Sequence, residues 1–218
     1  MFETVKCKRA LSPSGLPGID YALNPYGGCE HGCVYCYGPE VTHTEFGQWR
    51  IVKVRSNIAE RLAKEVRNID GTVGVGTVTD PYQYAEKRFM LTSQCLEVLR
   101  SAGLRITITT LDEKASHVTE PGAPLPARRL DALRELTCAG VDTYALVGPV
   151  LRFLEGREEE FVEAVASTGV RRMCIDRLNL RPLLSQRLDR MGITGSAEAL
   201  EKIRRLAGDS GMEVTDVF

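Results

Sequence analysis

The stretch Cys29-Glu30-His31-Gly32-Cys33-Val34-Tyr35-Cys36 crowds three thiols into one short, glycine-containing loop. Thiolates this close repel one another and oxidise readily, so outside a disulfide they call for a soft, positively charged centre to hold them. A tetrahedral zinc site would want a fourth protein ligand. An iron–sulfur cube held by three cysteines would instead leave one iron open to a substrate or cofactor. The chain has seven cysteines, an odd number, unevenly placed. With no apolar secretory core at its start, it is expected in a reducing, cytoplasmic setting, with Cys7, Cys95, Cys138 and Cys174 as ordinary thiols.

With 218 residues, 43% of them hydrophobic, the chain can bury roughly 70% of its unfolded surface. One domain, 1–218, is the expectation, with an entry segment at 1–18, a core at 19–180, and a C-terminal helix and edge strand at 181–218. The net charge of −1 with interspersed signs gives no global call for nucleic acid or an anionic membrane. No apolar run approaches the ~18 residues of a membrane span.

Residues 8–18, with Pro13, Gly15, Pro17 and Gly18, look too broken for helix or strand. Ile19–Leu23 reads as a short strand leading into the cysteine loop, which places that loop at a strand's C-terminal end, where parallel α/β folds bind ligands. Residues 37–54 read as a long connection in which His43 and Trp49 pack on a rim. Ser56 or Asn57 caps a helix through Ile58, Leu62 and Val66. Thr72–Thr79 reads as a buried parallel strand ended by Asp80-Pro81, with Gly74, Gly76 and Asp80 sharing a face turned toward a ligand. A second amphipathic helix runs through Leu91, Cys95, Leu96 and Leu99 to Gly103 as its C-cap, which buries Cys95. Strands then follow at 105–110, with Thr107 and Thr109 inward, at Tyr144–Val150, and at Val170–Leu178, with Met173 and Ile175 opposite Arg172, Cys174 and Asp176. Helices are expected through Leu130, Leu133 and Leu136, from Glu158 to Thr168, and from Ser196 to about Ala207, and Met212–Val217 as a last edge strand. Strands alternating with helices predict a parallel sheet or barrel.

The cysteine spacing, with Tyr35 just before the third thiol, resembles the signature of radical S-adenosylmethionine enzymes. Asn24-Pro25-Tyr26-Gly27-Gly28-Cys29, His31-Gly32, Tyr37 and Gly76-Thr77-Val78-Thr79-Asp80-Pro81-Tyr82-Gln83 are similar to the branch related to spore photoproduct lyase. The resemblance runs from about Leu11 to Val150. It implies a 4Fe-4S cluster on Cys29, Cys33 and Cys36, whose open iron binds S-adenosylmethionine. Reductive cleavage of that cofactor would begin radical, lyase-like chemistry on an unknown substrate, with electrons from a donor such as ferredoxin or flavodoxin. It also implies that Thr79 and Asp80 meet the cofactor's ammonium group, although a cap of the Asp80-Pro81-Tyr82 turn explains Asp80 equally well. Tyr35, Val147 and Gly148 would lie near the adenine, although a strand stop explains Val147 and Gly148 equally well, and His31 and Tyr37 would shield the cluster, although loop packing accounts for them as well. Thr107 and Thr109 would reach the cofactor carboxylate or ribose, although backbone bonds would satisfy them as well.

The family core is a partial parallel (βα) barrel of six units, and five strands are recognisable here, near Tyr21, Val75, Ile108, Leu146 and Cys174. About one βα unit is missing or merged between Leu99 and Ile106. The strand at 106–110 is therefore expected directly beside that at 72–79, in a five-stranded sequential order. Photoproduct lyases return a hydrogen atom through a cysteine just before the residues matching Thr79 and Asp80. No cysteine stands between Cys36 and Cys95, which argues against that route, and Cys174 is the remaining candidate donor. Two rivals are a non-catalytic iron–sulfur protein with a degenerate cofactor pocket, acting as electron carrier or regulatory partner, and a nucleic-acid module using Arg171, Arg172, Arg177, Arg181 and Arg187.

Overall fold

The computed structural model describes residues 1–99 and 104–217, so Gly103 as a helix cap lies outside the described residues. The chain forms two compact units, Met1–Gly32 with Cys36–Ala102 and Cys33–Tyr35 with Gly103–Phe218. No helix among the described residues is long and apolar enough to cross a membrane.

The first unit holds two small mixed sheets. In one, β1 (Phe2–Val5) runs parallel to β5 (Val52–Arg55), and β4 (Tyr26–Gly27) pairs antiparallel to β5. In the other, β2 (Leu11–Pro13) is antiparallel to β3 (Tyr21–Leu23), which runs parallel to β6 (Val73–Val75). The expectation of an unstructured 8–18 segment is thus corrected. Pro13 lacks an N–H but is tolerated because β2 is an edge strand, and Glu65 accepts the Ala10 and Leu11 N–H groups at 2.9 Å each. Residues 37–54 are likewise more than a connection, since they contain α1 (Gly38–Val41) and most of β5.

Helix α2 (Ile58–Glu65) packs on α4 (Leu91–Leu99) over a core of Leu23, Tyr26, Val52, Val54, Ile58, Leu62 and Cys95. Cys95 is fully buried, as its helical position predicts. Asn57 precedes α2 but does not cap it with its side chain. Its amide instead clasps Cys7, accepting the N–H at 2.8 Å and donating to the carbonyl at 3.0 Å. Between α2 and α4 lies α3 (Tyr84–Phe89). Glu86 of α3 accepts from the Thr92 and Ser93 N–H groups at 2.9 Å each, satisfying free amides of the first turn of α4, and from the buried Tyr26 hydroxyl.

The second unit is one wholly parallel sheet in the order β10-β9-β8-β7, made of β7 (Leu104–Thr107), β8 (Thr143–Val147), β9 (Arg172–Ile175) and β10 (Glu213–Asp216). These four strands lie in chain order, and β10 is an edge strand, as expected for Met212–Val217, but the five-stranded order is not formed among the described residues. Ala145, Val147, Met173 and Ile175 are buried in a cluster with Leu133, Phe161, Val165 and Ile203 from the helices. The helices are α5 (Glu113–Thr119), α6 (Pro126–Cys138), α7 (Glu158–Ala166), α8 (Pro182–Met191) and α9 (Ala197–Asp209). Asp112 caps α5 through the Ala115 N–H at 2.9 Å, and Ser196 caps α9 through the Ala199 N–H at 3.1 Å.

One architectural expectation fails. Among the described residues β6 pairs only with β3 and β7 only with β8, so the direct β6–β7 pairing is not made. Strand β6 ends at Val75 because Gly76 turns into the left-handed region (φ 73°). The same turn breaks the alternation that would align Asp80 with Gly74. Gly74 does permit a close approach, but the approaching groups are the side chains of Ile19 and Thr77, each 2.9 Å from where a Cβ would stand.

Burial, reinforced by the hydrogen bond and charge of Glu86, pushes the Tyr26 phenol far above its ordinary value. The folded chain then keeps a proton that the unfolded chain releases near pH ~10. Stability from this group is full below that pH and falls as the pH rises past it. Urea unfolding across about pH 8 to 11 should show this fall, and Tyr26→Phe should flatten it. Equal slopes in both proteins would contradict the assignment.

Candidate functional site

The two stretches that carry the family resemblance are stitched together inside the first unit by side-chain amides. Asn24 donates from Nδ2 to Thr77 Oγ1 (3.1 Å) and accepts at Oδ1 from the Val78 N–H (3.1 Å). Gln83 is fully buried; it donates from Nε2 to the Gly28 and Asp80 carbonyls (3.1 and 3.2 Å) and accepts the Glu30 N–H at Oε1 (3.1 Å). An amide can donate and accept at once, so one side chain ties the entry of the cysteine loop to the turn at Asp80. The Glu30 carboxylate adds an acceptor for the Ala85 N–H at 2.8 Å, and Tyr37 donates its hydroxyl to the Thr77 carbonyl at 2.5 Å.

At the loop's start Gly28 (φ 84°) passes so near the Trp49 and Ile51 carbonyls that a Cβ would stand 2.6 Å from each. This lets the Cys29 N–H donate to the Trp49 carbonyl at 2.9 Å. Cys29 is buried, and burial, with the Asp80 charge second, pushes its thiol up to about 12. Thr79 is buried and donates its hydroxyl to the Tyr26 carbonyl at 3.2 Å, which leaves its lone pairs for another donor. Asp80 accepts the Tyr82 N–H at 2.7 Å, the turn cap weighed from sequence, while its other oxygen lies 3.4 Å from His31 Nδ1. His31 is buried and meets Tyr84 edge-on. His43 is exposed and Trp49 is buried, so only the second packs as expected.

Cys33, Val34 and Tyr35 belong to the second unit. There the Tyr35 hydroxyl donates to Glu120 Oε1, and Glu120 Oε2 accepts from Arg129, a guanidinium that also donates to the Thr107 carbonyl (3.2 Å) and the Pro124 carbonyl (2.7 Å). Burial, with Cys33 and Glu120 nearby, raises the Tyr35 phenol well above its ordinary value. The Val34 N–H donates to the Thr119 carbonyl at 2.8 Å, and its carbonyl accepts from Arg187 at 2.6 Å. Glu120 and Arg129 were not singled out in the sequence. Their only sequence signal is a carboxylate and a guanidinium flanking a proline-rich turn.

At the C-terminal end of the parallel sheet Thr109 is buried with its hydroxyl lacking a partner, and Thr107 is partly exposed. Val147 is buried and accepts the Asp176 N–H at 2.9 Å. Gly148 lies so close to Asp176 that a Cβ would stand 2.6 Å from its Cβ, a packing reason for glycine there. Cys174 lies on the strand face opposite Met173 and Ile175, with its sulfur 3.2 Å from Thr215 Oγ1. The arginines of the sequence run are divided among tasks, Arg172 pairing with Asp142 and Arg187 holding Val34. Among the described residues no group of three or more His, Cys, Asp or Glu side chains stands close enough to hold a metal ion.

No family model matches the sequence. The chain is similar to an uncharacterized protein of Methanocaldococcus jannaschii, 28% identical over 178 residues that cover 67% of this chain and 66% of that protein. It is also similar to an uncharacterized protein of Mycobacterium tuberculosis, 30% identical over 227 positions, with 83% of this chain and 66% of that protein covered. The chain thus spans 66% of the length of these curated relatives. Because 227 aligned positions exceed the chain's own 218 residues, the mycobacterial relative carries stretches with no counterpart here. Among solved structures it shares the fold of spore photoproduct lyase complexed with dinucleoside spore photoproduct, at a TM-score of 0.73 and 13% identity, covering 100% of this chain and 82% of that one. A variant of the same lyase gives 0.74 at 13% identity, with the same coverage. The observed fold is accordingly α/β with mixed sheets, like that enzyme.

The Glu120–Arg129 pair is buried, with side chains 3% and 10% exposed. Glu120→Gln removes the countercharge and strands the guanidinium, so a loss of about 3 kcal/mol in urea unfolding is expected, largely recovered in Glu120→Gln/Arg129→Met. A loss below about 1 kcal/mol, the worth of a surface pair, would contradict the burial described.

Proposed function

We propose that this chain is a radical S-adenosylmethionine enzyme built on a partial parallel (βα) barrel about one unit short of the family's six. The observation that carries this is the interlock of the two motif stretches: Asn24 and Gln83 fasten the cysteine loop to the Thr77–Asp80 segment. The fold likeness to spore photoproduct lyase supports it independently of sequence identity.

Three soft thiols on one short loop suit the iron of a 4Fe-4S cluster better than a hard cation. The unpartnered, buried Thr109 hydroxyl at the sheet end is the kind of group a bound cofactor would satisfy. In this proposal Cys29, Cys33 and Cys36 hold the cluster. Thr79 and Asp80 hold the ammonium group of S-adenosylmethionine, Thr107 and Thr109 its carboxylate or ribose, and Tyr35, Val147 and Gly148 flank the adenine. When bound, the two groups supply one-electron cleavage of a sulfonium and hydrogen abstraction, chemistry no side chain provides. The protein's part is to place the substrate and exclude water. Cys174 is the candidate hydrogen donor, a cytoplasmic ferredoxin or flavodoxin the reductant, and the substrate is not the photoproduct by the lyase's cysteine route. The stretches that the mycobacterial relative has and this chain lacks favour one second reading, an iron–sulfur protein that carries electrons without cleaving the cofactor.

Anaerobic protein reconstituted with iron and sulfide is expected to be brown and, with dithionite and S-adenosylmethionine, to yield 5′-deoxyadenosine. Cys29→Ala, Cys33→Ala and Cys36→Ala should each lose the cluster, whereas Cys95→Ala should keep it. A cluster without 5′-deoxyadenosine would select the electron carrier. Stoichiometric zinc with no iron taken up would sink both.

A further inference from the structure

The segment that leaves β9 at the C-terminal end of the parallel sheet runs through Arg177 and Leu180 into α8. Leu183 and Leu180 are 64% and 60% exposed, more than any other large apolar side chain among the described residues except the terminal Met1, and Met191 at the end of α8 is exposed too. A single exposed apolar residue needs no explanation, whereas a group of them on one stretch of surface marks an interaction site.

Helix α8 buries Leu184 and Leu188 in the core. Leu183, Arg187 and Arg190 follow one another at i, i+4 and i+7, so they share a different face. Asp189, the only acid of the helix, falls outside that row. Arg190, and Arg177 and Arg181 ahead of the helix, are exposed as well, so guanidinium groups surround the exposed leucines. The middle of the row ties it to the cysteine loop. Arg187 donates from Nε to the Val34 carbonyl at 2.6 Å, and Val34 stands between Cys33 and Tyr35 in the same unit. Leu183 and Arg190 therefore lie one helical turn to either side of a residue that touches this loop.

Aliphatic side chains ringed by guanidinium groups fit a protein partner that brings carboxylates around an apolar centre. Nucleic acid would call for aromatic side chains on which bases stack, and residues 177–191 contain none. A helix lying in a membrane surface turns its main apolar face outward, whereas α8 turns Leu184 and Leu188 inward.

We propose that this surface, centred on Leu183 and Arg190, docks an acidic electron-carrier protein of the flavodoxin or ferredoxin type. This rests on the function proposed above, in which electrons reach the cysteine loop from outside. Encounters of this kind bury less than about 1,200 Å² and are steered by charge, so the complex should weaken with salt.

Anisotropy of a fluorescently labelled flavodoxin, and separately of a labelled ferredoxin, is to be followed as anaerobic reconstituted protein is added. A saturable complex with at least one carrier is expected, weakening several-fold between about 50 and 200 mM salt. Leu183→Ser and Arg190→Glu should each weaken it about tenfold with unchanged circular dichroism and iron content. Val118→Ser, which removes an exposed apolar side chain from α5, should leave it unchanged. Should Leu183→Ser fail to fold, Arg190→Glu decides. Wild-type protein that binds neither carrier, or variants that bind as tightly as wild type, would overturn the proposal. So would carrier binding that survives in variants that have lost binding to anionic phospholipid vesicles or to single-stranded RNA. Protein that takes up no iron yet binds a carrier through these residues would instead remove the function proposed above and keep the docking site.

Discussion

The buried amide of Gln83 is the constraint on which the first unit's geometry around Cys29 and Asp80 depends. Its donors close on the Gly28 and Asp80 carbonyls and its acceptor takes the Glu30 N–H. Three backbone segments that would otherwise bury unsatisfied polar groups are thereby paid off together. Asn24 does the same one strand earlier, receiving Val78 and donating to Thr77. Neither amide is disposed for chemistry of its own. Each fixes where Cys29, Thr79 and Asp80 stand.

The second unit solves a different problem. Its parallel sheet buries Ala145, Val147, Met173 and Ile175 under helices and leaves the alternate positions, Leu146, Arg172 and Cys174, less covered. Tyr35 is anchored there by Glu120, itself neutralised by Arg129, which also holds the Thr107 carbonyl at the sheet's end. A single buried ion pair thus links the segment carrying Cys33 to the end of β7. Buried pairs of this kind contribute little net stability against an apolar substitute, whereas removing one partner is costly.

Much of the second unit was legible in the sequence, because buried parallel strands and amphipathic helices leave clear signals: β8, β9 and β10 lie at the stretches expected for them, and α7 buries Phe161, Val162 and Val165. The first unit was less so. Strand β4 is two residues long and antiparallel to a strand 25 positions on, too short for any period to register. Gly76 was read as part of a strand, but its positive φ ends that strand and undoes the alignment inferred for Asp80. Helix α8 had its signals in Pro182, the Leu184–Leu188 spacing and Gly192 at φ 64°. Of the site, the thiols and their motif neighbours were visible. The groups that hold them were not, since Glu120 is 85 residues from Tyr35 and no local pattern couples partners that far apart.

The central claim is that three thiols hold a cluster whose remaining iron takes S-adenosylmethionine through its amino acid end. Pulsed electron–nuclear double resonance on the reduced cluster, with the cofactor labelled at its amino nitrogen and carboxylate oxygens, tests it most directly. Coupling of both labels to the cluster is the predicted result. A cluster spectrum unchanged by saturating cofactor would contradict the account.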